Sequence, residues 1–211
     1  MPKETGLMFK APLIKAILEG RKTQTRRMMK PQLEQCDWFP SWYLPTGPEK
    51  GIFWPNGKNK ILALSPYGQP GDLIYVRETW QHSNYPLGPY EEGAPVYYRA
   101  DFLDDPDGPD GEKSPQGKYR DWQPSIHMPK SAARIWLEIT GVRIERLHNI
   151  SQADAIAEGA PPSHPSIDQL SMEFGYSDFS RSWFARTWES TGASWSANPW
   201  VWVYEFKTTS K

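Results

Sequence analysis

The segment Gly20-Arg21-Lys22-Thr23-Gln24-Thr25-Arg26-Arg27 is the most informative part of this 211-residue chain. It carries four basic side chains and two hydroxyls within eight residues. A short amphipathic helix is predicted directly before it, because Pro12 suits a first helical position and Gly20 suits a helix end. Hydrogen-bond donors at this density suit an anionic or carbonyl-bearing ligand. The alternative is a solvated basic turn, since most charge runs are solvated faces.

The charge of the whole chain restricts what that ligand can be. Residues 1–30 hold eight basic and two acidic side chains and are locally +6, whereas the formal net charge of the chain is -1. Bulk positive charge therefore cannot drive binding to nucleic acid, and phosphate affinity must come from a local patch. This favours a small ligand or a short single-stranded segment over a long nucleic acid.

The remaining pattern predicts an α+β fold. Alternating or β-rich segments predict strands at 71–80, 95–100, 133–147 and 200–207. A helix capped by Ser151 is predicted to run to about Glu158, and a second helix covers 178–190. Because strands outnumber helices and long loops join them, we expect a mostly antiparallel sheet or barrel with helices packed on it.

Four segments in this order resemble the ASCH domains, which are PUA-like β-barrels. The basic segment matches their Gly-x-Lys-x-x-x-x-Arg signature, and the others are Gly71-Asp72, Ile150 to Gly159 and Val203 to Lys207. Val76 to Trp80 and Pro124 to Pro129 are similar to segments of the larger phage and prophage-type members. The resemblance implies a single ASCH domain over residues 1–211, with loop insertions at about 31–70 and 84–125.

One branch of this family hydrolyses the N4-acetyl amide of acetylated cytidine. Its catalytic residues correspond to Lys22, Thr25 and Glu158, and Arg27 matches the signature arginine. Amide hydrolysis needs a nucleophile, a group that takes its proton, and an acid for the leaving amine. Lys22 can act as the base for Thr25 only if burial or the nearby arginines lower its pKa. Since Lys22 and Thr25 are three residues apart, Lys22 must also lie off the strand for the two to meet.

Each of these residues also has an ordinary structural interpretation. Thr25 could be a strand threonine, Glu158 could simply end a helix, and Lys22 could contact phosphate without a catalytic role. The substrate-binding candidates are a second group, and for them the alternatives are an exposed strand face, a core tryptophan and a hydrogen-bonded histidine. This group consists of Arg21, Arg26, Arg27, Arg77, Glu78, Trp80 and His127.

Composition bounds the cofactors, the location and the partners. Cys36 is the only cysteine and the four histidines show no metal-ligand spacing, so no metal or other cofactor is expected. The chain has no apolar run of membrane-spanning length and no signal-peptide core, so a cytoplasmic location is expected. The expected partner is a modified nucleoside or a short single-stranded RNA. The alternatives are a non-catalytic RNA-binding module of PUA-like type and a ribonuclease.

Tryptophan is unusually frequent, with 11 residues. We interpret the tryptophans that follow strand or helix periodicity as core residues, and these are Trp136, Trp183, Trp188, Trp200 and Trp202. Four others could pin the long loops or stack on bases, and these are Trp38, Trp42, Trp54 and Trp80.

Overall fold

The computed structural model describes residues 1–35, 37, 42–45, 52–53, 61–85, 87–103, 122–161, 163–175 and 178–210. Much of the two predicted insertions therefore lies outside the described residues, including Cys36, Trp38, Trp54 and all of 104–121. The division of the chain into one domain with two insertions stays a prediction.

The described residues form an α+β structure, as the sequence pattern predicted. The helices are α1 (Ala11–Leu18), α2 (Gln152–Ala157), α3 (Pro165–Glu173) and α4 (Phe179–Glu189). The strands are β1 (Glu4–Met8), β2 (Gln24–Met28), β3 (Glu34–Gln35), β4 (Trp42–Tyr43), β5 (Ile52–Phe53), β6 (Leu73–Arg77), β7 (Trp80–His82), β8 (Val96–Tyr98), β9 (Trp136–Arg146) and β10 (Trp200–Thr209). None of the described helices is long and apolar enough to cross a membrane.

The main sheet has five strands in the order β1-β6-β9-β10-β2. β6 pairs with β9 and β10 pairs with β2 in antiparallel fashion, whereas β1 pairs with β6 in parallel. The sheet is therefore mixed, with antiparallel pairing of β6 with β9 and of β10 with β2 and parallel pairing at the β1 edge. Two smaller sheets join β3, β4 and β5, and β7 with β8. Closure of the main sheet into a barrel stays a prediction.

The strand β1 was not predicted, and Gly6 explains why it fits. Gly6 lies opposite Tyr75 on β6, and a Cβ added there would come within 2.6 Å of the Tyr75 ring. Glycine is a weak strand former, so a segment that contains it carries little local strand signal. Here the missing side chain lets the aromatic ring of the neighbouring strand lie against the backbone.

The chain divides into two compact units. The first unit comprises residues 1–20, 72–138 and 208–211, and the second comprises 21–71 and 139–207. In the second unit, Leu147, Ile150, Ala155, Phe184, Trp188, Val201 and Val203 form a buried apolar cluster. In the first unit, Trp80, Met128 and Ala132 form another. The proposed catalytic residues all belong to the second unit, whereas Arg77, Glu78, Trp80 and His127 belong to the first.

The short helix α2 is held at both ends. At its start, the Ser151 hydroxyl accepts from the Asp154 backbone N–H at 3.0 Å, and the Asp154 carboxylate accepts from the Ser151 N–H at 3.2 Å, which is a complete capping box. At its end, Glu158 is the C-cap, and Gly159 has φ 102°, which suits a glycine in the left-handed region. The Thr23 N–H also donates to the Ala157 carbonyl at 2.9 Å, which ties the basic segment to the end of α2.

We expect the Ser151→Ala substitution to lower the free energy of unfolding by about 1 kcal/mol, because it removes the side-chain acceptor of the α2 capping box. Ser131→Ala is the matched control at an exposed serine and should change the free energy by less than about 0.5 kcal/mol. Urea unfolding followed by circular dichroism measures both. Equal effects of the two substitutions would contradict the capping role.

Candidate functional site

The register of β2 against β10 fixes which side chains share a face. Thr25 lies opposite Tyr204 and Gln24 lies opposite Glu205. Because side chains alternate along a strand, Thr25 and Arg27 face one side of β2, and Gln24 and Arg26 face the other. Lys22 precedes β2, which begins at Gln24, so the lysine lies off the strand as the catalytic hypothesis requires.

The Lys22 ammonium is buried among three oxygen acceptors. Its Nζ donates to the Glu158 carboxylate oxygen Oε2 at 2.6 Å, to the Glu158 backbone carbonyl at 2.8 Å and to the Gln24 carbonyl at 2.7 Å. The Lys22 side chain is 0% exposed and the Glu158 side chain 5%. The Gln24 carbonyl belongs to the peptide that joins Gln24 to Thr25, so Nζ lies beside the backbone immediately before the buried Thr25.

Burial is the main influence on the protonation of Lys22. Burial lowers the pKa of the Lys22 ammonium, the Glu158 carboxylate partly offsets this, and the charges of Arg27 and Arg26 lower it further. The direction is the one that a general base requires. Arg21 was also expected to contribute, but it is exposed and its guanidinium donates to the Gly159 carbonyl at 3.2 Å.

Arg26 is buried and contacts three carboxylates. Its side chain is 0% exposed and lies 2.5 Å from Glu145, 3.2 Å from Glu158 and 3.4 Å from Asp154. It also donates to the Gln24 side-chain oxygen at 2.6 Å. The structure therefore places this arginine, which the sequence assigned to substrate binding, on the carboxylates of its own chain. By holding Oε1 of Glu158 while Lys22 holds Oε2, Arg26 fixes the orientation of that carboxylate.

A second arginine, Arg143, extends this network toward the surface. It pairs with Asp154 at 2.8 Å and Glu145 at 3.2 Å, and it also pairs with Glu205. Neither Arg143 nor Glu145 was predicted to belong to the site. The alternation of the strand could have indicated them, because two charged residues spaced by two on one strand lie on the same face.

Asp154 serves both the α2 cap and the charge network. Burial raises its pKa, but hydrogen bonds from Ser151 and Gln24 and the charge of Arg26 outweigh burial and lower the pKa to about 2. The same carboxylate accepts from the Ser151 hydroxyl at 2.8 Å. It is therefore ionised at neutral pH and links the start of α2 to the two arginines.

Tyr204, which lies opposite Thr25 in the pairing of β10 with β2, belongs to a cluster of hydroxyl-bearing side chains. The Tyr204 hydroxyl lies 2.7 Å from the Ser65 hydroxyl, and the Tyr67 ring packs edge-on against Tyr204 at 5.6 Å. Burial is the largest cause that raises the pKa of Tyr204, to about 12, so the phenol is neutral. Burial lowers the pKa of Arg27 on the Thr25 face of β2, while Glu158 and the two tyrosines oppose the change.

In the first unit, Glu78 is held by an arginine that the sequence analysis did not single out. Arg134 binds Glu78 in a bidentate pair at 2.9 and 3.0 Å, and it binds Asp101 at 2.7 and 2.9 Å. The Arg134 guanidinium also stacks over the Tyr98 ring at 4.0 Å. Burial raises the pKa of Glu78, although Arg134 opposes this. No local pattern marks Arg134, because its partners lie far away in sequence.

The other candidates of the first unit are placed as follows. Arg77 donates to the Met128 carbonyl at 3.1 Å and to the Ile126 carbonyl, so it holds the short 3-10 turn that contains His127. His127 itself is exposed, and Trp80 is buried against Met128 and the Tyr90 ring. Within the described ranges, no group of three or more His, Cys, Asp or Glu could hold a metal ion.

Comparisons with known proteins give little beyond these residues. No family model matches the chain, and no curated protein matches it. A solved structure that it resembles is the ASCH domain from Lactobacillus crispatus JV V101, with 14% identity and a TM-score of 0.36 over 98% of this chain and 79% of that chain. At this TM-score the match assigns neither a family nor an activity.

We expect Lys22→Met and Glu158→Gln each to lower the free energy of unfolding by about 3 kcal/mol, because each leaves a buried polar partner unsatisfied. The double variant removes both groups and should lose clearly less than the sum of the two singles. Urea unfolding followed by tryptophan fluorescence measures the three variants. Losses that add to within about 0.5 kcal/mol would show that the pair does not interact.

The pKa of Asp154 predicts an acid-dependent loss of stability. Since its pKa falls from 3.8 unfolded to about 2 folded, the ionised carboxylate stabilises the fold above about pH 4, and this contribution is lost as the pH falls toward 2. The difference in unfolding free energy between the wild type and Asp154→Asn should therefore shrink between pH 5 and pH 2. Urea titrations at several pH values measure it, and a pH-independent difference would contradict the assignment.

Proposed function

We propose that the chain is an ASCH-type protein of the PUA-like class that binds a modified nucleoside, and that its second unit hydrolyses the N4-acyl amide of cytidine. The observation that carries this proposal is the meeting of Lys22 and Glu158, 136 residues apart, at 2.6 Å. Their contact lies at the peptide that leads into Thr25. The proposal assigns the three groups that amide hydrolysis needs to this pair and to the hydroxyl of the neighbouring Thr25.

In the ion pair of the resting site, each partner has the wrong protonation state for its role. A base must be a neutral amine and an acid must hold a proton. A shift of one proton from Lys22 Nζ to Glu158 Oε2 along their hydrogen bond produces both forms without changing the net charge. Burial supports this shift because it lowers the pKa of the Lys22 ammonium.

The acylation step then balances as follows. The Thr25 hydroxyl gives its proton to the Lys22 amine while its oxygen forms a bond to the acyl carbon. The bond from that carbon to N4 breaks, and N4 takes the proton from Glu158, so that cytidine leaves. Lys22 is again an ammonium and Glu158 a carboxylate. The same proton shift from Lys22 to Glu158 then prepares the second step. A water molecule gives one proton to the Lys22 amine while its oxygen bonds to the acyl carbon of the Thr25 ester. The bond from that carbon to the Thr25 oxygen breaks, this oxygen takes the proton from Glu158, and the free acid leaves.

The arginines of the basic segment divide into different roles in this proposal. Arg27 lies on the face of Thr25 and is the substrate-binding candidate for the acyl carbonyl, together with the exposed Arg21. Arg26 positions Glu158. Of the first-unit candidates, His127 is exposed and Arg77 is partly buried, whereas Glu78 and Trp80 are buried in contacts within that unit.

One observation favours a second candidate function, a non-catalytic RNA-binding module. The three protons of the Lys22 ammonium are matched by three acceptors, which is also how a structural cation is satisfied. In that case the exposed Arg21 and Lys30 would contact phosphates, and affinity for RNA would fall steeply with salt. A nucleoside hydrolase should respond only weakly to salt.

We expect Thr25→Ala and Lys22→Arg each to reduce hydrolysis of N4-acetylcytidine by about 100-fold or more, because one removes the nucleophile and the other a base that can lose its proton. The effects of Lys22→Ala and Thr25→Ala should not add, since the two groups act as one unit. Chromatographic measurement of released cytidine gives the rates.

Two matched controls accompany this test. Thr25→Ser keeps a hydroxyl and should retain measurable activity, and Lys30→Arg changes an exposed lysine of the same region and should leave the rate unchanged. RNA affinity is measured on the same proteins at two salt concentrations. A wild type that has no turnover and binds RNA in a salt-sensitive manner would contradict the hydrolase proposal and support the RNA-binding module.

A further inference from the structure

Helix α3 exposes an apolar stripe that the function proposed above does not use. Ile167, Leu170 and Phe174 are 41%, 52% and 74% exposed, and their spacing of three and four residues places them on one helical face. Phe174 is the C-cap residue that directly follows the helix. An exposed run of large apolar side chains at this spacing is typical of an interaction surface.

The stripe lines a groove between α3 and α4. Phe179 and Trp183 on α4 face it, and the groove has a volume of about 210 Å³. The two hydroxyls in its wall are already satisfied, since Ser171 donates to the Ile167 carbonyl at 3.1 Å and Ser182 donates to the Phe179 carbonyl at 2.8 Å. The groove therefore offers apolar surface without a need for further hydrogen bonds at its wall.

Arg186 supplies a positive charge at the groove. It lies on α4 three residues after Trp183, it is exposed, and in the described part of the chain its guanidinium makes no hydrogen bond or ion pair. Arg181 on the same helix differs, because it pairs with Asp178 at 3.5 Å. An apolar groove with one available guanidinium complements an apolar anchor that carries a carboxylate beside it.

The size and pattern of the groove select the kind of occupant. Pockets for small ligands usually span about 300–1,000 Å³, so this volume suits one large side chain better than a whole small molecule. Amphipathic helices bind such grooves through apolar anchors at helical spacing. We propose that the groove between α3 and α4 docks an acidic amphipathic segment of a protein partner, with one large apolar side chain against Phe174 and Trp183 and a carboxylate on Arg186.

The test uses two helical 14-residue peptides that differ at one position. Both carry leucines at i, i+3 and i+7, and one has Glu where the other has Gln beside the central leucine. Binding to the ¹⁵N-labelled full chain is followed by NMR. We expect the Glu peptide to bind at least five-fold more tightly than the Gln peptide, with shifts centred on α3 and α4. Arg186→Gln should abolish this difference, and Phe174→Ser should weaken both peptides at least ten-fold.

Met172→Ser is the matched control, because Met172 is 58% exposed on the same helix but does not line the groove. It should leave both affinities unchanged, and circular dichroism should show an intact fold in every variant. Three results would overturn the proposal: equal binding of the two peptides, binding of 4-phenylbutyrate as tight as that of the Glu peptide, or a dimer in sedimentation that Phe174→Ser dissociates. The last would identify a second copy of the chain as the occupant.

Discussion

A buried ammonium must keep all of its hydrogen bonds, and the second unit is arranged around this requirement. Lys22 has no contact with water, so its three acceptors have to come from the protein. Two of them belong to Glu158 at the end of α2, and one belongs to Gln24 at the start of β2. The loss of any one would leave a charged donor unsatisfied in the interior. The hydrogen bonds that the Lys22 ammonium requires therefore fix the end of α2 against the start of β2, which is distant in sequence.

The surrounding charges extend the same principle. Arg26 is wholly buried among carboxylates, and Arg143 shares two of those carboxylates while reaching the surface. Exposed ion pairs contribute little to stability, but a buried network restricts the geometry of every member because each unpaired charge is costly. In the first unit, Arg134 forms the corresponding ion pair with the buried Glu78. Both units thus pair a buried glutamate close to the end of a regular element with an arginine side chain.

The sequence predicted those features whose signal is local. The Ser151 cap, the alternation along β9 and β10 and the helical spacing in α4 each lie within one segment, and each was confirmed. The strand β1 was not predicted because Gly6 weakens its strand pattern. The helix α3 was not predicted because its apolar residues face outward. Which of Arg26 and Arg27 faces the carboxylates could not be read in advance, since this depends on how β2 packs in the sheet. Partners such as Arg134 are set by tertiary contacts with residues far away in sequence and leave no mark in the neighbouring sequence.

Helix α2 has only six residues, which has a kinetic consequence. A helix of this length does not persist by itself in water and forms here through its cap, the Arg26 and Arg143 pairs and the Thr23 hydrogen bond. These supports share residues, so they are released together when the segment opens. The Lys22 side chain is inaccessible in the folded state, and such an opening is what exposes it to solvent. The Thr23 N–H donates to the carbonyl of Ala157, the last residue of α2, so the exchange rate of this amide proton reports the frequency of that opening.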